Sequence, residues 1–257
     1  MKTKFYLLLF VAVCFSVNIQ AQILPDFKTM LAEEWRNNSW RNDTRTTSDY
    51  DSNGHLIKRT NQSWDTLTSQ WKEDVILEYT NNADGTVKEE TMKVWDEDLN
   101  QMVVASKTIY TYTAAKKTAT STSQMDFGMG LMDFAKTTYS YNEGGQLEKE
   151  VTQSLNFMSM ELEVSEQTLY EYNPDGTEHR SVMQTINETS GVWENTIRNT
   201  HTYTPAKMID NTLSEDFTGV TWVNYSLTTY AYNTDGTYKE IVEQLWETGS
   251  GKWVFEW

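Results

Sequence analysis

A tyrosine–glycine–apolar pattern recurs along most of this chain and constrains its fold more than any other feature. In four places a tyrosine is followed four residues later by glycine, and ten residues after that by an apolar residue. The four are Tyr50–Gly54–Trp64, Tyr141–Gly145–Leu155, Tyr172–Gly176–Ile186 and Tyr232–Gly236–Trp246. Tyr79–Gly85–Trp95 fits the same pattern if its turn is two residues longer. A fixed period of this length indicates a repeat architecture in which each repeat is one supersecondary unit.

Each unit predicts a β-hairpin. Asparagine or aspartate before the glycine favours a tight turn in which the glycine takes a positive φ. Lys116 and Lys207 replace this glycine in two units, and Pro205 still favours a turn in the second. We therefore predict an all-β fold, a repetitive antiparallel β-hairpin meander of about seven units of about 30 residues. It spans residues 35–257, ends in an incomplete repeat, and forms either a strongly twisted sheet or a barrel-like one.

One strand face of the predicted hairpins mixes apolar and long polar residues. Counting from the glycine, positions two, six and ten are mostly apolar or threonine, whereas positions four and eight are charged or glutamine. These even positions share one face of a strand. Such a face is too polar for a dry sandwich core, so it predicts ladders of aromatic, charged and glutamine side chains.

Pairs of aromatic residues flank the short connection at the other end of several hairpins. The pairs are Trp35/Trp40, Trp64/Trp71, Phe217/Trp222 and Trp246/Trp253. Aromatic residues on either side of such a connection can pack as cross-strand pairs, so we interpret them as structural clamps. In the middle units, methionines between Met125 and Met132, together with Met158 and Met160, take their place. Because methionine fills irregular gaps, we predict that these side chains pack in the core.

The segment Tyr50-Asp51-Ser52-Asn53-Gly54-His55-Leu56 resembles the YD repeat of the Rhs family. The core of that repeat reads Tyr-Asp, two residues, Gly and then an apolar residue. The flanking tryptophan pairs and Tyr-x-Tyr strands are also similar to secreted hairpin repeats of Bacteroidetes surface proteins. The resemblance covers most of residues 35–257, although only the Asp51 unit has the aspartate itself. It implies a hairpin architecture and a cell-surface setting, but not a toxin shell, for which seven units are too few.

The N-terminus has the features of a secretory signal peptide. Lys2 and Lys4 precede an apolar run over residues 5–17, and Ala21 provides a small residue before a cleavage point. We predict cleavage after Ala21, so that residues 1–21 are removed and the protein is exported to the periplasm, cell surface or extracellular space. The alternative is a lipoprotein signal that uses Cys14, but Val13 is bulkier than that processing site favours.

Residues 22–34 form a lead segment before the repeats. Asp26 could cap a short helix, because Phe27, Met30, Leu31 and Trp35 follow at helical spacing. We therefore expect a possible short N-terminal helix that covers one edge of the sheet.

Composition narrows the classes of partner and of fold. The formal net charge of −16 becomes −18 once residues 1–21, with two lysines and no acid, are removed. This charge argues against binding to nucleic acid or to an anionic membrane surface. The single cysteine, Cys14, is removed with the signal peptide, so the mature chain is not a disulfide scaffold.

The sequence offers no constellation of catalytic or metal-ligating residues. His55, His179 and His201 fall at different places in their repeats and lack the spacing of a metal site. The turn aspartates lack the closing carboxylate of a calcium loop. No nucleophile elbow, phosphate loop or zinc-protease motif is present. We therefore predict no catalytic residue, no metal and no cofactor, and a protein that is not an enzyme.

The function favoured by these features is binding or adhesion by a secreted or cell-surface repeat protein. Exposed aromatic strand positions could bind an extracellular glycan or protein, because an aromatic ring combines a large apolar face with a polar handle. The candidate contact residues are Trp64, Trp71, Trp95, Trp193, Trp222, Trp246 and Trp253. One alternative is a purely structural spacer or matrix repeat. A less favoured one is an outer-membrane β-barrel, whose apolar outer band the lysine, glutamate, arginine and glutamine residues on both faces would interrupt.

Overall fold

The computed structural model describes residues 28–36, 38–128, 130–187 and 189–255, and these residues form β-strands joined by turns. In chain order the strands are β1 Thr29–Arg36, β2 Ser39–Tyr50, β3 Leu56–Asp65, β4 Gln70–Asn81, β5 Val87–Asp96, β6 Gln101–Tyr112, β7 Thr118–Asp126, β8 Leu131–Tyr141, β9 Leu147–Asn156, β10 Glu161–Tyr172, β11 Glu178–Ile186, β12 Trp193–Tyr203, β13 Ile209–Phe217, β14 Trp222–Tyr232, β15 Tyr238–Glu247 and β16 Lys252–Phe255.

All 16 strands belong to one antiparallel sheet in which every strand pairs with the next strand along the chain. Among the described residues, β1 pairs only with β2 and β16 only with β15, so the sheet is open rather than barrel-like. The predicted all-β hairpin meander is therefore confirmed, and so is the hairpin architecture that the resemblance to the YD repeat implies. The predicted signal peptide lies outside the described residues.

The prediction of an N-terminal helix is wrong for the part of the segment that the structure describes. Residues 29–36 form strand β1, and Trp35 faces Trp40 of β2. The apolar spacing of Met30, Leu31 and Trp35 suits a helix, but the same residues also suit a strand with Leu31 and Trp35 on one face. Hydrogen bonding to β2 decides between the two. The repeat sheet therefore begins at Thr29 rather than at residue 35, and Asp26 and Phe27 lie outside the described residues.

The turn after β4 contains no additional residues, which corrects the interpretation of Tyr79. The Gly85 amide donates to the Asn82 carbonyl oxygen at 3.0 Å, just as the Gly54 amide donates to the Asp51 carbonyl oxygen at 3.1 Å. Asn81, not Tyr79, therefore occupies the place of the tyrosine before the turn, and it pairs with Val87. The error arose because tyrosines also recur two positions earlier in the strand, as at Tyr110, Tyr139 and Tyr170.

The two turns without glycine have the same geometry as the others. The Lys116 and Lys207 amides each donate to a carbonyl oxygen three residues earlier at 2.9 Å. Their φ angles are 60° and 61°, in the region where glycine is otherwise found. The strand pairing on both sides of each turn holds the lysine in this conformation, although it is unfavourable for a residue with a Cβ.

A β-bulge in each of seven even-numbered strands gives the sheet its twist. In strands β2 to β14 one residue is skipped in the pairing with the preceding strand. The skipped residues are Asp43, Asp74, Ala105, Phe134, Ser165, Thr196 and Tyr225. A second register shift lies beside each of the seven tight turns, in the odd-numbered strand. Because a bulge increases the right-handed twist locally, two shifts per repeat favour a strongly twisted sheet.

The described part of the sheet is a single layer, so its side chains are covered mainly by their neighbours on adjacent strands. The buried apolar residues there are Ile76, Leu147, Leu155 and Tyr170. Thr60, Gln167 and Glu215 are buried on the same face as Ile76 and Leu155. The predicted ladder of apolar and long polar side chains is therefore present over positions four to ten after the glycine, and it takes the place of a dry core. Position two lies on the other face, because Leu147 pairs with Tyr141 whereas Lys149 pairs with Ser140.

The tyrosines before the turns link each hairpin to the preceding one. Each hydroxyl donates to the carbonyl oxygen of the first residue in the preceding odd-numbered strand. That residue lies two positions before the first one that pairs with the strand of the tyrosine. The bonds are Tyr112–Val87 at 2.6 Å, Tyr141–Thr118 at 2.8 Å, Tyr172–Leu147 at 2.8 Å, Tyr203–Glu178 at 2.7 Å and Tyr232–Ile209 at 2.8 Å. The side-chain amide of Asn81 donates to the Leu56 carbonyl oxygen at 2.9 Å in the same way. The repeated tyrosine thus extends the strand pairing by one hydrogen bond per repeat.

We expect Tyr112→Phe to lower the free energy of unfolding by about 1 kcal/mol, the net contribution of one hydrogen bond. Urea denaturation followed by tryptophan fluorescence measures this change. Tyr225→Phe is the matched control, because Tyr225 is an exposed bulge residue outside the hydroxyl ladder. Equal effects of the two substitutions would contradict the role given to the ladder.

Candidate functional site

The two edges of the sheet at which the strands end differ in chemistry. The turn edge holds the seven tight turns that follow the even-numbered strands. The loop edge holds the eight connections that lead from each odd-numbered strand to the next, from β1–β2 to β15–β16. Most of the exposed large apolar side chains in the described residues lie at or beside the loop edge. The candidate site is therefore sought there.

Directly opposed aromatic pairs line the loop edge. Trp64 and Trp71 are paired across β3 and β4, with ring centroids 5.1 Å apart and an angle of 68° between the rings. The other pairs have centroid distances of 5.3 Å for Trp35/Trp40, 5.0 Å for Phe217/Trp222 and 5.0 Å for Trp246/Trp253. Tilted and edge-to-face geometries are favoured for aromatic rings. The predicted cross-strand clamps are confirmed.

The predicted contact tryptophans form a row along this edge rather than one convergent site. Trp64, Trp71, Trp193, Trp222, Trp246 and Trp253 are half-buried, and Trp95, paired with Met102, is 45% exposed. Trp35 and Trp40 are also exposed, although the sequence pattern indicated only a structural clamp for them. No sequence signal reveals which of the aromatic rings are exposed, because exposure depends on whether side chains of the neighbouring strands cover the ring.

Two predicted residues, Trp193 and Trp222, lie in adjacent hairpins beside an open cleft. The cleft has a volume of about 430 Å³ and is lined by Gln184, Trp193, Glu194, Asn195, Phe217 and Gly219. Trp222 packs on Phe217, with the two rings tilted by 57° and their centroids 5.0 Å apart. Strands β11, β12 and β13 bring these groups together, since Ile186 pairs with Trp193 and Gln184 with Asn195. Gln184 and Asn195 were not among the candidates from the sequence, where they appear as ordinary polar rungs.

A chain of side-chain amides holds the polar wall of the cleft. The Gln167 Nε2 donates to Gln184 Oε1 at 2.6 Å, and the Gln184 Nε2 donates to Asn195 Oδ1 at 2.8 Å. Since Asn195 accepts through its oxygen, its NH₂ group is the donor that this amide offers to a ligand. Glu194 lies between Trp193 and Asn195 on β12, so its carboxylate projects to the opposite face of the sheet, where it accepts from Asn187 Nδ2 at 2.8 Å.

Arg198 contacts Trp222, the ring that packs on Phe217 of the cleft. The Arg198 guanidinium donates twice to the Glu215 carboxylate, with Nε–Oε2 and Nη2–Oε1 distances of 2.7 Å. Its Cζ atom also lies 4.6 Å from the Trp222 ring centroid. A cation over an indole face attracts the ring electrostatically. Arg198 therefore orients Trp222 and neutralises Glu215 at once.

The opposite face of the sheet carries a row of tyrosines that shares no residue with the cleft. Burial raises the pKa of Tyr79 and of Tyr110 to about 12, and it also raises the pKa of Glu90, which pairs with Tyr79. These residues sit among neighbouring side chains rather than in a cavity, so the row stabilises the sheet.

The described residues contain neither a metal-binding cluster nor a membrane-spanning helix. Among them, no three histidine, cysteine, aspartate or glutamate side chains lie together in a way that could hold a metal ion. The described segments also contain no helix with the length and apolar character needed to cross a membrane.

Comparisons with known proteins give no family for the chain. No protein-family model matches the sequence, and no curated protein matches it significantly. Among solved structures, a porin-like protein from Bacteroides uniformis is similar at 13% identity, covering 89% of this chain and 93% of that one, with a TM-score of 0.46. A DUF3836 family protein from Bacteroides vulgatus is 16% identical over 34% of this chain and 89% of its own, with a TM-score of 0.28.

A third similar structure is a Tc holotoxin pore of Photorhabdus luminescens. It is 11% identical, with 85% of this chain matching 13% of that one at a TM-score of 0.35. Because all three TM-scores lie below 0.5, no property of this chain is inferred from them. The chain's own strand pairing is what makes it an all-β hairpin-repeat protein.

Proposed function

We propose that this chain is an exported, non-enzymatic repeat protein that binds an extracellular glycan at the cleft beside Trp193. The observation that supports the proposal most is the composition of that cleft. It places a half-buried indole and a phenyl ring next to two side-chain amides that are fixed by hydrogen bonds. The expected signal peptide is consistent with a ligand outside the cell.

The chemistry of the cleft suits a sugar better than an apolar small molecule. A sugar ring has an apolar face of C–H groups that packs on an aromatic ring, and hydroxyls that pair with planar amides. Gln184 and Asn195 supply such amides, while Trp193 and Phe217 supply the rings. The net negative charge of the chain favours a neutral glycan over a polyanionic one.

The test is a screen of neutral and anionic glycans, followed by titration of the strongest neutral ligand. We expect Trp193→Ala to weaken binding about tenfold or more, equivalent to about 1.4 kcal/mol, because a stacking surface is lost. Asn195→Ala should also weaken binding, since it removes a donor. Calorimetric titration of each purified variant measures the dissociation constant.

Trp71→Ala is the matched control for Trp193→Ala. Trp71 lies at the loop-edge end of β4, paired with Trp64, as Trp193 lies at that end of β12, paired with Ile186. It belongs to a different hairpin, away from the cleft. It should destabilise the sheet to a similar extent and leave glycan affinity within about twofold. A loss of affinity as large as that of Trp193→Ala would contradict binding at this cleft.

A structural spacer is the second candidate, and the aromatic clamps favour it. Each clamp ring already has an opposed partner at about 5 Å, so the rings account for hairpin stability without a ligand. Failure of every glycan in the screen to bind would favour this function over the proposed one.

A further inference from the structure

The connections β7–β8 and β9–β10 expose a patch of large apolar side chains in the middle of the loop edge. We define the Phe–Met patch as Phe127, Leu131, Phe157, Met158 and Met160. Phe157 is 60% exposed and Met158 is 96% exposed. The expectation that Met158 and Met160 pack in the core is therefore wrong, because these connections extend beyond the single-layer sheet and nothing in the described structure covers them.

The patch is continuous across two hairpins. The ring centroids of Phe127 and Phe157 are 5.5 Å apart at an angle of 85°, and that of Phe134 is 6.0 Å from Phe127. Phe134 is the bulge residue of β8, and its ring supports Phe127 from the sheet side. Elsewhere on the loop edge the ring contacts join the two strands of one connection, whereas this contact joins neighbouring connections. The two connections therefore present one surface.

Carboxylates flank the apolar residues of both connections, and the same stretches of the chain contain no basic residue. The acidic residues are Asp126, Asp133, Glu161 and Glu163, and the stretches 124–135 and 153–165 contain no lysine or arginine. Asp126 accepts from the Gly128 and Gly130 amides at 2.7 and 3.0 Å.

Local hydrogen bonds hold one of these carboxylates in its charged form. The Glu163 carboxylate accepts from Asn156 Nδ2 and Ser159 Oγ, each at 2.8 Å. These two bonds hold the pKa of Glu163 below its ordinary value, so it stays ionised at neutral pH.

A comparison with the β3–β4 connection shows how the patch differs from an isolated exposed residue. Leu67 in the β3–β4 connection is as exposed as Met158, at 94%. The acid beside it, Asp65, is already paired with Lys72 at 2.6 Å, and Asp65 also accepts from the Leu67 amide. An isolated apolar residue with a neutralised neighbour is ordinary surface. The Phe–Met patch instead combines several adjacent apolar side chains with unneutralised charge of one sign.

We propose that the Phe–Met patch docks a basic, amphipathic polypeptide segment. The apolar side chains of the segment would pack on Phe127, Phe157 and Met158, and its cationic side chains would face the surrounding carboxylates. Methionine suits this role because its flexible side chain adapts to an irregular apolar surface, and phenylalanine supplies a large apolar area. Adjacent connections lie about 10 Å apart, two strand spacings, which matches the width of one helix. This surface is separate from the cleft beside Trp193, so the inference goes beyond the proposed glycan binding.

The test uses the mature chain and a fluorescent peptide of about 18 residues that places leucine on one helical face and lysine on the other. Fluorescence anisotropy should show saturable binding that weakens about tenfold or more between low salt and about 0.5 M salt, because the carboxylates and lysines are screened. A peptide with glutamate in place of lysine should not bind.

Two variants separate the apolar and the charged contributions. Phe157→Ser combined with Met158→Ser should weaken peptide binding about tenfold, and Asp126→Asn combined with Glu163→Gln should remove most of the salt dependence. Leu67→Ser is the matched control and should change binding by less than about twofold. All the substituted apolar residues are exposed, so unfolding curves should stay close to those of the wild type.

Four results would overturn the proposal. The first is absence of binding to the lysine peptide, and the second is equal binding of the glutamate peptide. The third is a self-association, seen by sedimentation, that Phe157→Ser abolishes, because it would identify a second copy as the occupant. The fourth concerns zwitterionic phosphatidylcholine vesicles. If the wild type binds them and the double serine variant loses vesicle binding more strongly than it loses peptide binding, the occupant of the patch is a lipid surface.

Discussion

Arg198→Ala is expected to lower the free energy of unfolding by about 3 kcal/mol, because it leaves a buried carboxylate without its partner. Glu215 is only 9% exposed and receives both of its charge-assisted hydrogen bonds from the Arg198 guanidinium. The substitution also removes the cation that stacks on Trp222. Urea denaturation of the wild type and the variant measures the difference.

Two further variants show whether the buried charge is the cause. Glu171→Ala breaks the more exposed pair between Glu171 and Arg180 and should cost no more than about 1 kcal/mol. Replacing both Arg198 and Glu215 by apolar residues should recover much of the stability lost in Arg198→Ala, since no unpaired charge remains. If the double replacement is as unstable as the single one, packing rather than desolvation is responsible.

Gly85→Ala is expected to be more destabilising than the same substitution at Gly54. Both glycines have a positive φ, +85° and +84°, and a Cβ in this conformation costs about 1–2 kcal/mol. At Gly85 the added Cβ would also lie 2.6 Å from His55 Nε2, whereas at Gly54 it meets no atom within 4 Å. The His55 ring cannot move away freely, because its Nδ1 lies 3.1 Å from Asp51 Oδ2.

The contact with His55 can be isolated by a double-mutant cycle. We expect Gly85→Ala to cost about 1 kcal/mol more than Gly54→Ala, and His55→Ala to remove that difference. Thermal and urea unfolding of the four proteins provide the values. Additive effects of His55→Ala and Gly85→Ala would show that neighbouring turns do not restrain each other.

Much of the fold could be predicted because the pattern of each hairpin is local. Glycine at a positive φ, asparagine or aspartate before it and side chains alternating between two faces fix where each strand begins. The failures came where two interpretations fit the same residues. Tyr79 resembled a residue before a turn, and residues 29–35 suited either a helix or a strand. Only pairing with β5 and with β2 resolved these positions.

The candidate site could be predicted only in part. Trp193 and Trp222 were among the candidates, but their association with Gln184 and Asn195 in one cleft depends on the pairing of separate strands. Met158 and Met160 of the Phe–Met patch were interpreted as core, because methionine in a sequence does not reveal whether another layer covers it.

By itself, the sequence determined the repeat, its turns and most of the rungs that share a face, since each depends on residues close together in the chain. The tertiary structure decided which aromatic and methionine side chains remain exposed. In a single-layer sheet that outcome depends on neighbours about 30 residues away and on the absence of a second layer over the described residues. Burial is therefore a property of strand packing here, and it cannot be read from the pattern of one hairpin.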